Sequence, residues 1–209
     1  MARFTIATPA GEAWVDLDPA ADARQLLVIG HGAGGSVESP DLMAIRRHCL
    51  EAAISVARVT QPYRVAGKKA PPTGPVLDTA WRAVVANLGR RKTLAELPFS
   101  YGGRSSGARV ACRTAADDDV TPRPIAVVAV AFPVHPPGKP EKSRIAELDG
   151  VEVPVLVVQG ESDPFGMPGR RRGRRIVTVA GDHGLKREAD AVGRAVADWL
   201  GALHVEPRQ

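Results

Sequence analysis

Three side chains suited to nucleophilic catalysis stand just after apolar runs of this chain. Ser105 lies in Gly103-Arg104-Ser105-Ser106-Gly107, a G-x-S-x-G pattern. In that pattern the serine sits on a tight strand-to-helix turn, with its hydroxyl lifted clear of the sheet. Strand and helix pass close to one another there, so only small residues fit, and Gly103 and Gly107 flank Ser105 two residues away on each side. A serine hydroxyl attacks well only when a base takes its proton. His183, within Gly181-Asp182-His183-Gly184-Leu185-Lys186, is the candidate base. Asp163, within Gly160-Glu161-Ser162-Asp163-Pro164-Phe165-Gly166, is the candidate acid that would orient it. The run Gly30-His31-Gly32-Ala33-Gly34-Gly35 adds a loop whose backbone can approach a ligand closely.

Each candidate has a competitor. Ser106 also offers a hydroxyl, but it lacks glycines at the flanking positions. Asp182 adjoins His183, and neighbours in sequence usually point apart, so it reads as a loop or capping carboxylate. Asp163-Pro164 is also a turn signal, although its place after a buried strand favours chemistry. His31 could act as a base or touch substrate, but its place in the glycine loop fits ordering of that loop by hydrogen bonding. His135 sits in a Pro-rich loop after a strand, where it could line a pocket or serve structure. His48 and His204 read as surface residues on helices. Arg64, Lys68 and Lys69 could receive an anionic group of a substrate, or could simply form a solvated loop.

The elements that must position these residues alternate in type. Arg3 to Ala7 and Glu12 to Leu17, around the Pro9-Ala10-Gly11 turn, read as an edge hairpin. Gln25 to Gly30 is a continuous apolar run, as in a parallel strand covered on both faces. A helix from Pro40 to Ala53 follows, burying Leu42, Ile45, Cys49 and Ala53, then a strand from Ile54 to Thr60. Gln61 to Pro75 is rich in proline and glycine and reads as an irregular loop. Leu77, Ala80, Trp81, Val84, Val85 and Leu88 mark an amphipathic helix. The elbow strand (Leu97 to Tyr101) and its helix (Ser106 to Thr114) come next. Further strands are expected at Ile125 to Ala131, Val155 to Gln159 and Ile176 to Val179. A last helix should pack Ala189, Val192, Val196, Trp199, Leu200 and Leu203. Alternation of this kind predicts a doubly wound, mostly parallel α/β sheet with helices on both faces, one domain spanning 1–209. In such a sheet ligands bind beyond the carboxyl ends of the strands, where Ser105, Asp163, His183 and the glycine loop all fall.

Composition narrows the classes. The 209 residues, 44% hydrophobic and 24% charged, fit a soluble globular protein with a full core. No apolar run approaches the roughly 20 residues that span a bilayer, and the first residues carry no signal-peptide pattern. A cytoplasmic protein without membrane contact is therefore expected. Two cysteines, Cys49 and Cys112, are too few for a disulfide framework and too isolated for zinc. Both fall on apolar helix faces, as buried inert thiols do. The net charge of +5 admits an anionic partner, but arginine far outnumbers lysine amid abundant alanine, which fits coding bias, and nucleic acid is not the expected partner. Gly30 to Gly35 also matches G-x-G-x-x-G. A dinucleotide site needs a helix at the third glycine and an acid ending the next strand; Pro40 delays the helix and Ile54 to Thr60 carries no acid.

Taken together, HGAGG, QPYRVAGKKAPP, GGRSSGARVA, FPVHPPGKPEKSR, VPVLVVQGESDPFG and GDHGLK resemble a small α/β-hydrolase of the dienelactone-hydrolase-like superfamily. More narrowly, they resemble a compact group related to the testis-expressed-hydrolase-like proteins. The order Ser, Asp, His is the one found on that fold. The resemblance implies an α/β-hydrolase fold with no separate lid domain, and Ser105, His183 and Asp163 as nucleophile, base and acid. It implies an oxyanion hole from the backbone N–H groups of Ser106 and Ala33, and a small acyl substrate (ester, thioester, lactone or amide) processed without cofactor or metal. His31, Arg64, Lys68 and His135 are the further candidates for substrate contact. Dienelactone hydrolase uses a cysteine nucleophile where this chain has Ser105, so its substrate does not carry over. A non-catalytic scaffold on the same fold is the alternative. One departure stands out. In related hydrolases a helix connects the acid to the last strand, whereas here the basic run Arg170-Arg171-Arg172-Gly173-Arg174-Arg175 occupies that space. It leaves the pocket wall beside Asp163 undefined and could form a patch for nucleic acid or another partner.

Overall fold

The uninterrupted apolar runs form the centre of one sheet because both of their faces are covered. The structure is a computed structural model describing residues 2–203; His204 lies outside the described residues. β1 (Ala2–Thr8) and β2 (Gly11–Asp18) form the antiparallel hairpin at one edge. β3 (Gln25–Gly30), α1 (Pro40–Glu51), β4 (Ile54–Thr60), α2 (Pro62–Val65) and α3 (Gly74–Gly89) follow. Then come β5 (Phe99–Arg104), α4 (Ser106–Ala115), β6 (Ala126–Val130), α5 (Ile145–Asp149), β7 (Val155–Gly160), β8 (Arg174–Val179) and α6 (Ala189–Gly201). The eight strands lie in the order β1-β2-β4-β3-β5-β6-β7-β8, parallel from β4 to β8. This is the doubly wound, mostly parallel sheet expected of the sequence.

Side-chain alternation divides each central strand between two cores. Leu26 and Val28 pack with Trp81, Val84 and Leu88 of α3 and with Val110 and Ala111 of α4. Leu27 and Ile29 pack on the opposite face with Leu42 and Ile45 of α1 and Val192, Val196 and Leu200 of α6. Burying each large aliphatic side chain fully is worth about 1.5–3 kcal/mol, so both layers are needed. On the second face α1 and α6 meet at Gly193, where a Cβ would lie 2.7 Å from the backbone of Ala44.

Several local expectations are corrected. Gln61 to Pro75 is not wholly irregular: Pro62, whose fixed φ suits a first helical residue, opens the short α2. α5 was not legible as a helix. Ala53 does not belong to α1 but follows its cap at φ 58°, a left-handed residue that turns the chain into β4. The elbow strand begins later than expected and runs through Arg104, because its edge bonds continue alongside β3 and β6. β8 starts at Arg174 rather than Ile176 because pairing with β7 begins at Val155. His48 is not a plain surface residue. It is half-buried at the α1–α6 seam, 2.9 Å from Asp190 and 3.3 Å from Glu51.

Candidate active site

The turn after β5 has the geometry its small residues foretold. Ser105 sits at φ 52° and ψ −109°, a region costly for a side chain-bearing residue. A Cβ on Gly103 would lie 2.1 Å from the carbonyl carbon of Gly107, and one on Gly107 2.6 Å from the Gly30 oxygen. Glycine is therefore obligatory on both sides. The Ser105 N–H donates to the Val130 carbonyl at 2.8 Å, tying the turn to β6.

Three residues converge at the carboxyl ends of β5, β7 and β8. The Ser105 hydroxyl lies 2.9 Å from His183 Nε2, and His183 Nδ1 lies 2.9 Å from Asp163 Oδ2. With Nδ1–H donating to the carboxylate, Nε2 is left to accept the serine proton. The Asp163 side chain is 1% exposed and that of His183 is 18% exposed, so the acid is sheltered while the base opens toward solvent. Asp182 is turned away, its Oδ1 accepting the Gly184 N–H at 2.8 Å.

Residues that the sequence reading passed over hold the trio in place. Gln159, fully buried at the end of β7, donates through Nε2 to Asp163 Oδ2 at 2.8 Å. The same nitrogen reaches the carbonyls of Phe132 at 3.0 Å and Gly166 at 2.9 Å. The Phe165 N–H donates to Asp163 Oδ1 at 2.9 Å, and the Phe165 ring packs on the His183 imidazole with centroids 4.1 Å apart. A polar residue closing an apolar strand four positions before the acid was a usable signal for Gln159. The Asp163 and His183 loops are joined by Ser162, whose N–H and hydroxyl both donate to the Gly181 carbonyl at 3.0 and 2.9 Å.

The glycine loop lies against the nucleophile: a Cβ on Gly32 would be 3.6 Å from that of Ser105. His31 is buried behind the loop with both ring nitrogens engaged. Nδ1 donates to the Gly32 carbonyl at 2.8 Å and Nε2 accepts the Gln61 N–H at 3.1 Å. That arrangement fixes the neutral tautomer, and burial pushes the imidazole pKa down. It orders the loop and leaves no ring nitrogen for a substrate. The Tyr63 hydroxyl donates to the Ala33 carbonyl at 2.7 Å, holding the peptide that follows the candidate oxyanion donor, while His31 holds the Gly32 carbonyl of the peptide that bears it.

The remaining candidates spread out. His135 lies beside the Phe165–Gly166 turn; its N–H donates to the Phe165 carbonyl at 3.0 Å and its ring donates to the Pro136 carbonyl at 2.9 Å. Arg64 donates to the Lys68 carbonyl at 3.3 Å, and Lys68 lines a cleft of about 300 Å³ with Tyr63, Pro71 and Leu77. The basic run lies elsewhere. Arg174 pairs with Val155 at the start of β7, whereas Val179 pairs with Gly160 at the end near Asp163. Arg170 to Arg175 therefore occupy the far end of the sheet, where Arg174 meets Asp149 at 2.5 Å. Beside Asp163 lie instead Phe165, whose N–H reaches its carboxylate, and Gly166, whose N–H donates to the Asp163 carbonyl at 3.0 Å. Among the described residues no group of His, Cys, Asp and Glu is arranged to hold a metal ion, and no helix is long and apolar enough to cross a membrane.

This fold and this constellation define an α/β-hydrolase. The chain belongs to the alpha/beta hydrolase domain family, which matches residues 23–193. Solved structures share its fold along nearly their whole length. An alpha-beta serine hydrolase homologue from Coxiella burnetii is 18% identical with a TM-score of 0.75, covering 95% of this chain and 97% of its own. Dienelactone hydrolase from Anabaena variabilis is 17% identical with a TM-score of 0.74, covering 95% of both chains. An α/β serine hydrolase without lid from Xanthomonas campestris is 23% identical with a TM-score of 0.71, covering 97% of this chain and 96% of its own.

Proposed function

We propose that the protein is a serine hydrolase that cleaves a small ester, thioester, lactone or amide through an acyl-enzyme. The observation that carries this reading is the unbroken relay from Ser105 through His183 to Asp163, with both links at 2.9 Å. His183 Nε2 takes the Ser105 proton as Oγ bonds to the acyl carbon. The carbonyl electron pair moves onto oxygen. When the tetrahedral species collapses, the bond to the leaving group breaks and His183 returns the proton to that group. Water then repeats the sequence on the acyl-enzyme and frees the acid. Asp163 holds the imidazole tautomer and stabilises its cation.

The oxyanion would be met by the N–H groups of Ser106 and Ala33. Ser106 is the first residue of α4, so its N–H has no acceptor within the helix, and the helix N-terminus favours negative charge. Each such donor typically supplies about 3–4 kcal/mol in the transition state. Ser105 is half-buried, which suits a small or surface-presented acyl group. The expected test result is a single fluorophosphonate adduct in the intact mass of the wild-type protein, absent from Ser105→Ala. An unmodified wild type that is folded would instead favour a non-catalytic scaffold on the same frame.

A further inference from the structure

We propose that Arg104, held by Asp41, is a positioning residue that fixes His183 against Ser105. This rests on the proposed roles of those two residues. Arg104 is the variable residue immediately before the serine, and its side chain reaches three other parts of the site. Nη2 donates to the main-chain carbonyl of His183 at 2.9 Å. Nε forms an ion pair with Asp41 Oδ2 at 2.8 Å. Nη1 lies over Gly32, where a Cβ would come within 2.9 Å of it. Asp41 is 2% exposed in the first turn of α1, and its other oxygen accepts the Leu42 N–H at 2.9 Å.

The sheet itself makes such a brace necessary. Ser105 follows β5 and His183 follows β8, with β6 and β7 between them and β8 at the margin. Apart from this link, the His183 loop is tied to the Asp163 loop after β7, so the Ser105–His183 distance would be carried by the pairings of β5, β6 and β7 and by the loops that follow them. Arg104 spans the gap in one side chain. The size and shape of the guanidinium matter: Nη2 donates to the His183 carbonyl while Nε stays in ion-pair range of Asp41, a span that a lysine ammonium on a flexible stem cannot reproduce. Asp41 supplies the anchor, since it holds the guanidinium from the α1 side while the histidine loop is held from the other. Loss of this register acts on the proton-transfer step, and a displacement near 1 Å can reduce rate about 100-fold.

The test compares Arg104→Met, Arg104→Lys, Asp41→Asn and the Asp41→Asn/Arg104→Met pair. Melting temperature is recorded beside the second-order rate of fluorophosphonate labelling and the kcat and KM of an activated ester. Arg104→Met is expected to lower labelling and kcat by about 10- to 100-fold with KM little changed. Arg104→Lys should recover only part of the loss, and the pair should be no worse than Arg104→Met alone. In a fifth variant, Arg104→Ala, added guanidinium should accelerate labelling several-fold. Labelling of Arg104→Met at the wild-type rate would overturn the proposal, as would simple addition of the two single losses or a loss carried by KM. A second readout does not depend on turnover. The His183 Nδ1 proton should give a downfield NMR resonance in wild type that broadens or moves in Arg104→Met. If wild type does not label, the serine-hydrolase reading fails, and that resonance alone decides the role of Arg104: unchanged in Arg104→Met, it overturns the brace.

Discussion

Gln159 donates to the same oxygen of Asp163 that receives His183 Nδ1–H, at 2.8 Å against 2.9 Å. One carboxylate oxygen is thus fixed from two directions, and the amide that helps fix it is fully buried. Gln159→Met keeps the volume but removes the donor, leaving the carbonyls of Phe132 and Gly166 without it. A stability loss of about 1–3 kcal/mol is expected, read from urea unfolding. Labelling of the surviving folded protein should also slow, because Asp163 regains freedom to rotate.

Asp163→Asn should leave the fold nearly intact, since the amide has almost the same shape. It removes the charge that stabilises the His183 cation and permits the wrong tautomer. A fall in kcat of about 10⁴-fold is expected, measured on an activated ester with the melting temperature as control.

His31 gives a pH dependence with a definite sign. Burial is the main influence depressing its pKa, Arg64 adds to the depression, and the bond to the Gly32 carbonyl opposes it. The unfolded chain therefore binds the proton first as pH falls below about 6.5. The stability contributed by neutral His31 is complete above that value and is lost progressively as pH falls from there toward the lowered folded value. The urea midpoint of wild type should drop between pH 7 and 5.5, and that of His31→Gln should drop less.

The cysteines should be silent in the native protein. Burial pushes the Cys49 thiol up to about 12 and raises that of Cys112 as well. A maleimide at pH 7 should label neither thiol within minutes under native conditions and both in urea. Fast native labelling of either would show that its helix opens.

Glycine positions separate close approach from free space. Gly193→Ala should wedge α1 from α6, since the added carbon meets Ala44 at 2.7 Å, and cost about 1–3 kcal/mol. Gly107→Ala should be worse, because the obstacle is the Gly30 backbone on one side of the nucleophile turn. Gly169→Ala, with nothing within 4 Å of the added carbon, should melt with wild type.

Much of this frame was legible because each piece carried a local signature. Leu26 to Ile29 had to be a covered strand: alternate side chains face opposite cores, and both must be apolar. Ser105, Asp163 and His183 could be picked out because each directly follows such a strand. Arg104 could not, since its partners stand at positions 41 and 183 and only the folded sheet brings them together. Tyr63 was hidden for the same reason, within a segment whose prolines masked a helical turn. The place of the basic run was in principle derivable. A strand parallel to β7 must begin at the end opposite Asp163, so the residues just before it belong to that end, however near the acid they stand in sequence.

The open margin at β8 has a consequence for durability. Among the described residues β8 pairs with one strand, β7, and His183 hangs from its end while Ser105 is seated on β5 in the sheet interior. Opening free energies are lowest where few contacts hold a segment. Peeling of that one strand would carry the base away from a nucleophile whose surroundings stay intact. On warming, activity should then fade in step with this local detachment, ahead of the cooperative melting that circular dichroism records. Hydrogen exchange at Ile176 and Val177 would follow the same course.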